Sequence, residues 1–410
     1  MAMRELAPAG ALAGFWRVVG LASIGLLAVA LNRPAIAQTP IAQTPVAQTP
    51  ITPSPAPNAA PETQPSVARD ALPAPQTSDN VSFDERIALE NWPERPTAST
   101  DGVAPPNHVP LTLESVNEAI WRASMTSGVS AAALKAQILL DRAGFSPGAI
   151  DAGSNTNYRG ALAAFQRENK LDARGVLDTA TWDALLASSE EPVLTEYEIT
   201  AADLRGPFVP DLPEAVEQQV GFKRLAYRTP QEMLAEKFHM DQQLLAALNP
   251  QADFDKAGTH IIVARVGRPN SRIKVTRIEV NKPQRRVRAY DKAGRLVATY
   301  PASIGSDDKP TPPGAFRVRQ VSRLPEWRYN PRYAFKEIKT TRAFRVAAGP
   351  NNPLGTVWIG ITKPSYGIHG TPVAEEVGTS FSHGCVRLTN WDVQALAAMV
   401  TRRTVVNIAE

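Results

Sequence analysis

Sixteen of the chain's 36 prolines fall between Pro34 and Pro110, and that crowding confines compact folding to what lies beyond it. Proline lacks an amide hydrogen and fixes one backbone dihedral, so helices and sheet ladders are interrupted wherever it recurs. Residues 36–50 read IAQTPIAQTPVAQTP, a five-residue repeat with no hydrophobic period. Such a stretch buries too little apolar surface to offset the entropy of ordering it. An extended Pro/Ala/Thr-rich linker is therefore expected over residues 38–115. Residues 116–410 are left to hold the folded units, a length that suits two or three domains.

Ahead of the linker, Arg4 and Arg17 precede an apolar run from Val18 to Leu31, and Ala35-Ile36-Ala37 follows. The run is shorter than the roughly 20 apolar residues that favour a spanning helix. With its basic start and small-x-small ending, it predicts a signal peptide over residues 1–37, cleaved after Ala37. An uncleaved membrane anchor is the alternative, because Arg33 and Pro34 make an unusual approach to the cleavage site. Either reading places the folded part in the periplasm or cell envelope.

Charge is divided along the chain. From Ser271 onward there are 23 Lys+Arg against 10 Asp+Glu, a net of +13; residues 1–270 hold 21 against 30, a net of −9. A basic carboxyl-terminal domain suits an anionic or carboxylate-rich ligand. Nucleic acid is not expected, since no helix-turn-helix, zinc-finger or RNP pattern is present.

From Val129 the pattern turns helical. Ser130 is placed to cap a helix through Leu134, Ile138 and Leu139, closed by Gly144; a second helix carries Leu162 and Phe165, and a third starts after Asp178 with Trp182, Leu185 and Leu186. This stretch, Ala131–Ser188, resembles the three-helix peptidoglycan-binding module of cell-wall enzymes, which sets a helical domain over residues 116–190. Ala152, Asn155 and Tyr158 stand where that module's pattern has Gly, Gly and Thr. Next, Thr229-Pro230-Gln231-Glu232 reads as a capping box with proline at the first helical position. A helix through Leu234 and Phe238, a second from Asp241 to before Asn249-Pro250, and a strand at Ile261–Ala264 resemble a LysM module in an interdomain segment, 191–270.

Residues 271–410 are strand-rich. Polar and apolar residues alternate over Lys274–Val280 and Gln284–Tyr290, Asp291–Gly294 makes a turn into Leu296–Tyr300, and Phe316–Val321 and Thr356–Ile361 read as further strands. One helix, Trp391–Val400 behind an Asn390 cap, closes the domain. The expected fold class is multidomain α+β: a mainly β, sandwich-like domain preceded by a small all-α three-helix module.

Cys385 is the only cysteine in 410 residues. Exported proteins commonly pair their cysteines, and a lone one has no internal partner. It is either an inert buried thiol or a reactive one. His369 and His383 lie near it in sequence, and a cysteine nucleophile needs a base or a positive field to ionise below its usual value of about 8.5. A strand would put His383, Cys385 and Arg387 on one face, with His369 arriving on a neighbouring strand. Gly384 would let a substrate backbone approach, and the N–H groups around Gly384-Cys385 could stabilise an oxyanion. Arg387 could grip a carboxylate. A metal site of two histidines and Cys385 lacks a clear fourth ligand.

Two segments then stand out together: Tyr366-Gly367-Ile368-His369-Gly370-Thr371 and Ser382-His383-Gly384-Cys385-Val386-Arg387-Leu388. With Pro310–Gly314 and Asn352–Gly355, they make the stretch Ile273–Ile408 resemble the L,D-transpeptidase (YkuD) family. The resemblance implies that Cys385 is the nucleophile and His369 the general base. It implies that Arg387 positions substrate, with Ser382, Gly370 and Thr371 grouped beside it, and that His383 supports the site. It implies an acyltransferase without metal or organic cofactor, acting on peptidoglycan stem peptides. Cys385 would form a thioester with a tetrapeptide stem, release D-alanine and pass the acyl group to an amine. That amine belongs to a second stem (a 3→3 cross-link) or to a lipoprotein, and carbapenems would inhibit. Hydrolysis by an L,D-carboxypeptidase and a non-catalytic wall-binding role are the alternatives.

Overall fold

The computed structural model describes residues 111–122, 128–267 and 272–410. The expected signal peptide, and the linker up to residue 110, lie outside the described residues. The linker's expected end is corrected slightly, because helix α1, Leu113–Asn117, starts inside it. Thr112 supplies the cap: its Oγ1 accepts from Ser115 N at 3.1 Å.

Three helices follow: α2 (Ala131–Arg142), α3 (Thr156–Glu168) and α4 (Thr179–Ala187). Ser130 and Asp178 cap α2 and α4 as expected and Asn155 caps α3, each accepting from the third residue of its helix. Leu134, Ile138, Leu162, Phe165, Trp182 and Leu185 are buried between them. The residues that depart from the peptidoglycan-binding pattern are absorbed structurally. Ala152 adopts the left-handed φ of 62° that its expected glycine would have taken. Asn155 has become the cap of α3, and Tyr158 is buried on the same helix.

The segment at 191–270 forms a two-stranded antiparallel ladder, β1 (Leu194–Glu198) with β2 (His260–Ala264), enclosing α5 (Pro230–Lys237) and α6 (Gln242–Leu248). The two helices and second strand are where the sequence put them. β1 is additional, and it pairs with β2 across some 60 intervening residues, a distance that local patterning does not report. The capping box forms by half. Thr229 Oγ1 accepts from Glu232 N at 3.1 Å, but the Glu232 carboxylate takes the amide of Arg228 instead.

The carboxyl-terminal domain is one curled sheet of eight strands. In chain order they are β3 (Arg277–Asn281), β4 (Arg286–Tyr290), β5 (Leu296–Pro301), β6 (Gly314–Arg323), β9 (Val357–Ile361), β10 (Gly367–His369), β11 (Val386–Arg387) and β12 (Val405–Ala409). Their order across the sheet is β11-β10-β9-β6-β12-β3-β4-β5. β6 is the hinge of the curl. Its first half pairs with β12 and its second with β9, with an irregularity between Val318 and Gln320. The sandwich-like expectation is thus met by a single sheet folded over itself around Ile278, Val287, Val318, Ile359, Ile368, Val393 and Leu396. Helix α7 (Asn390–Met399) closes it. Its cap is Thr389, one residue earlier than expected, and Asn390 is turned inward instead. A short hairpin, β7 (Trp327–Tyr329) with β8 (Phe344–Val346), stands off the sheet.

The helical module docks on the outer strand of that sheet. Ser146 N donates to Thr299 O and Thr299 N to Gly144 O, both at 2.9 Å, which covers the free edge of β5. Buried Arg286 of β4 clamps the junction, donating to Ser146 O (2.9 Å), Asn157 O (3.2 Å) and Thr299 Oγ1 (3.2 Å). The junction also bounds a cavity of about 350 Å³, lined in part by Asp141, His239, Trp391 and Asp392 and by none of the Ser382–Arg387 residues.

Arg286→Ala would leave buried carbonyls of the helical module without donors. It should lower unfolding free energy by roughly 2–4 kcal/mol. Urea unfolding followed by tryptophan fluorescence measures this. An unchanged midpoint would mean that the clamp contributes nothing to stability.

Candidate active site

The two motif segments of the sequence, around His369 and Cys385, meet as neighbouring strands. β10 and β11 run parallel, with Ile368 opposite Val386 and His369 opposite Arg387. β9 flanks β10 on its other side, placing Trp358 opposite His369, and the indole stacks on the imidazole with centroids 5.6 Å apart. The expectation that His369 arrives on a strand next to the cysteine segment is met. The expectation that His383, Cys385 and Arg387 share one strand face is not. β11 begins only at Val386, and Ser382–Cys385 form a tight turn ahead of it.

Ser382 builds that turn. Its Oγ donates to the Cys385 carbonyl and accepts from Gly384 N at 3.2 Å, while its own N–H donates to Ile304 O at 2.8 Å. Ser382 is 4% exposed, and these bonds make it a brace of the loop that carries Cys385. Gly384 has φ +108°, a conformation that a side chain strains, and a Cβ there would meet the Tyr366 ring at 3.1 Å. Its N–H is engaged by Ser382, which corrects its expected role as an oxyanion donor.

His369 is 5% exposed, and its Nδ1 pairs with Gly370 O at 2.7 Å. A carbonyl accepts only, so Nδ1 carries the hydrogen and Nε2 is left with its lone pair, the tautomer a general base requires. Gly370 therefore orients the imidazole. Thr371 is likewise buried, with its Oγ1 accepting from Val373 N at 3.4 Å. Arg387 donates through Nη2 to Phe381 O, and its strand N–H and C=O bond Ser303 at 2.9 and 3.0 Å.

Electrostatics correct a further expectation. Burial pushes the Cys385 thiol up to about 11, although the Gly367 amide and the Arg387 charge pull it down. Burial drops His369 to about 4, opposed by its bond to Gly370 and assisted by the Arg387 charge. The resting site therefore holds a neutral thiol, whose Sγ donates to Ser365 O at 3.8 Å, and a neutral imidazole, where a lowered thiol had been expected. Proton removal must accompany attack on the substrate.

His383 looks outward to a flap that sequence reading missed. Its Nε2 pairs with Glu337 Oε2 at 2.9 Å, and its ring lies 4.3 Å from that of Phe335. Phe335 belongs to an aromatic cluster with Trp327, Tyr329, Tyr333 and Phe344 around the β7–β8 hairpin. Leu212, Leu225 and Val346 form a core beneath it, so the accessory segment underpins the flap.

Comparison with known proteins finds matches to two regions of the chain. Residues 275–408 match the YkuD model, "L,D-transpeptidase catalytic domain", and residues 130–185 match "Putative peptidoglycan binding domain". The "Putative L,D-transpeptidase YkuD" of Bacillus licheniformis is 32% identical over 179 residues, covering 43% of this chain and 92% of that one. The chain belongs to the L,D-transpeptidase (YkuD) family. The "Probable L,D-transpeptidase ErfK/SrfK" of Escherichia coli K12 is 30% identical over 188 residues, which span 44% of this L,D-transpeptidase and 59% of that protein. Among solved structures, the catalytic domain of the E. faecium L,D-transpeptidase aligns at 22% identity over 33% of this chain and 98% of that one, with a TM-score of 0.26.

The neutral pair has a direct consequence for reagents that need the free thiolate. Alkylation of Cys385 by iodoacetamide should keep accelerating past about pH 9.5, well above the midpoint of roughly 8.5 for a free thiol. A rate profile levelling off below pH 8 would show a preformed thiolate and contradict the neutral resting state.

Proposed function

We propose that this L,D-transpeptidase acts on peptidoglycan tetrapeptide stems, with Cys385 as nucleophile and His369 as base. The observation that carries the reading is the parallel β10–β11 pairing. It brings the cysteine turn beside a buried imidazole whose Nδ1 is already committed to Gly370. Cys385 Sγ attacks the carbonyl carbon between the third and fourth residues as His369 Nε2 takes the thiol proton. The tetrahedral oxyanion is met by the Cys385 N–H at the end of the turn. Collapse expels D-alanine, whose amine takes the proton from His369. An acceptor amine then attacks the thioester, gives its proton to His369 and so on to the departing thiol, and leaves a new amide.

The half-buried Arg387 guanidinium adds positive charge beside the reaction centre and favours a stem carboxylate there. The net of +13 after Ser271 supports an anionic substrate on the same domain. A 3→3 cross-link is the proposed product, with a lipoprotein amine as the second acceptor. The amino-terminal run Val18–Leu31 followed by Ala35-Ile36-Ala37 supports export to the envelope, where that substrate lies.

Purified protein mixed with tetrapeptide muropeptides should give a cross-linked dimer and free D-alanine. Tripeptide alone would indicate hydrolysis, and no turnover would remove the catalytic reading. A carbapenem offers the same nucleophile a strained carbonyl, so the wild type should gain a stable adduct by intact mass. Cys385→Ser should gain none, because an alcohol is a far weaker acid than a thiol for His369 to deprotonate. Equal adduct on both proteins would dismiss Cys385 as nucleophile.

A further inference from the structure

We infer that Glu236, on the accessory helix α5, is a positioning residue for the catalytic base, acting through Asn390 on the Gly370 carbonyl that holds the His369 ring. Glu236 lies outside residues 275–408, the part matched by the catalytic family model. The inference rests on His369 being the base, as proposed above.

The link runs through one buried amide. Asn390 is 0% exposed. Its Nδ2 donates to Glu236 Oε2 at 2.8 Å and to Pro350 O at 3.2 Å. Its Oδ1 accepts from Thr356 N at 2.9 Å. Both ends of the carboxamide are therefore occupied, and the group has one orientation. Two backbone segments press against its oxygen: a Cβ on Gly355 or Gly370 would come within 2.1 or 2.2 Å of Oδ1. Where the amide lies thus decides where the Gly370 peptide can lie. That peptide's carbonyl takes the Nδ1 hydrogen of His369 at 2.7 Å.

Glu236 is itself fixed from the accessory side. Tyr227 Oη donates to its Oε1 at 2.7 Å, so the carboxylate is held between a phenol and the amide. Of the two anchors on Asn390's nitrogen side, Pro350 O belongs to the catalytic domain, whereas Glu236 arrives only when the accessory segment is docked. The nearby backbone contacts Leu225 N to Ala348 O and Asn351 N to Leu225 O, both 3.0 Å, dock that segment next to Pro350. An apolar side chain at 236 would leave one Asn390 hydrogen without an acceptor in a dry site, and the amide would tilt to find another. A displacement of about 1 Å at a catalytic group can lower a rate by roughly 100-fold. The structure thus ties orientation of the base to docking of the accessory segment.

The test uses the whole protein with three substitutions: Glu236→Leu, Glu236→Gln and His369→Ala. Three readouts separate positioning from general loosening: single-turnover acylation by a carbapenem near neutral pH, Cys385 alkylation in alkaline solution, and the ¹⁵N shifts of the His369 ring. Alkylation by iodoacetamide of a thiol ionised by hydroxide does not need the base. Glu236→Leu should slow acylation by about tenfold or more, leave alkaline alkylation within about twofold, and bring the second imidazole tautomer into view. Glu236→Gln should recover acylation to within about threefold, because its amide can accept from Asn390 while donating to Tyr227.

Wild-type acylation and a single tautomer in Glu236→Leu would overturn the inference. So would acylation and alkylation falling together, which would mark Glu236 as merely structural. Should Glu236→Leu fail to fold, Tyr227→Phe frees one side of the carboxylate and should slow acylation by about threefold with the same tautomer change; no change would overturn the inference. Acylation at the wild-type rate in His369→Ala would instead remove the base assignment itself. A slow His369→Ala beside an unaffected Glu236→Leu would sink only the coupling.

Discussion

Two residue pairs of parallel ladder, Ile368 with Val386 and His369 with Arg387, hold the reaction centre together. Neither strand has the length to stand alone. β10 contributes three residues and β11 two, and both depend on β9, whose five residues join them to the long β6. The curl of the sheet, the burial of Ile359 and Ile368 in its core and the closing helix α7 all serve to place that edge. Burial then sets the chemistry. The same desolvation that keeps His369 neutral also keeps the thiol protonated, so the site rests uncharged and develops charge only as substrate is attacked.

The accessory regions do more than space the catalytic domain from the linker. The helical module covers the β5 edge and receives the Arg286 clamp. The β1–β2 segment supplies the core under the aromatic flap and places Glu236 against Asn390. Three parts of the chain that look like separate beads in sequence thus share buried polar contacts at their junctions. Separating them would leave buried groups unpaired, a cost that ordinary linker-joined domains do not meet.

Much of this was legible beforehand, for reasons that differ by element. The helices at 131–142 and 179–187 carried both apolar spacing and a capping side chain, so type and start were readable. The helix at 156–168 was readable in type only, its Asn155 cap having been read as a departure from the module's glycine. Strands β3 to β6 and β9 alternated long enough to declare themselves. β10 and β11 did not, because two or three residues carry no period; they were expected as neighbouring strands only from the chemistry a cysteine nucleophile needs and from the resemblance of their motifs. The flap escaped because its aromatics, Trp327, Tyr329, Phe335 and Phe344, form a cluster that alternation does not describe. Ser382, Gly370 and Thr371 were grouped beside substrate by the resemblance alone. The bonds by which Ser382 braces the cysteine turn and Gly370 holds the His369 ring were not legible, because they depend on backbone geometry that residue type does not report. The thiol's direction of shift failed for the same reason: the neighbouring histidine was visible in the sequence, the desolvation was not.

The central claim is that Cys385, as the sole thiol, carries the acyl group between donor and acceptor stems. Mixing the protein with a tetrapeptide stem in the absence of any acceptor amine, quenching in acid, and mapping the modified peptide by mass spectrometry tests it most directly. The account predicts a thioester on the peptide containing Cys385, with the mass of the stem less D-alanine, absent from Cys385→Ser. An acyl group found on any other residue, or D-alanine released with no covalent intermediate at early times, would contradict it.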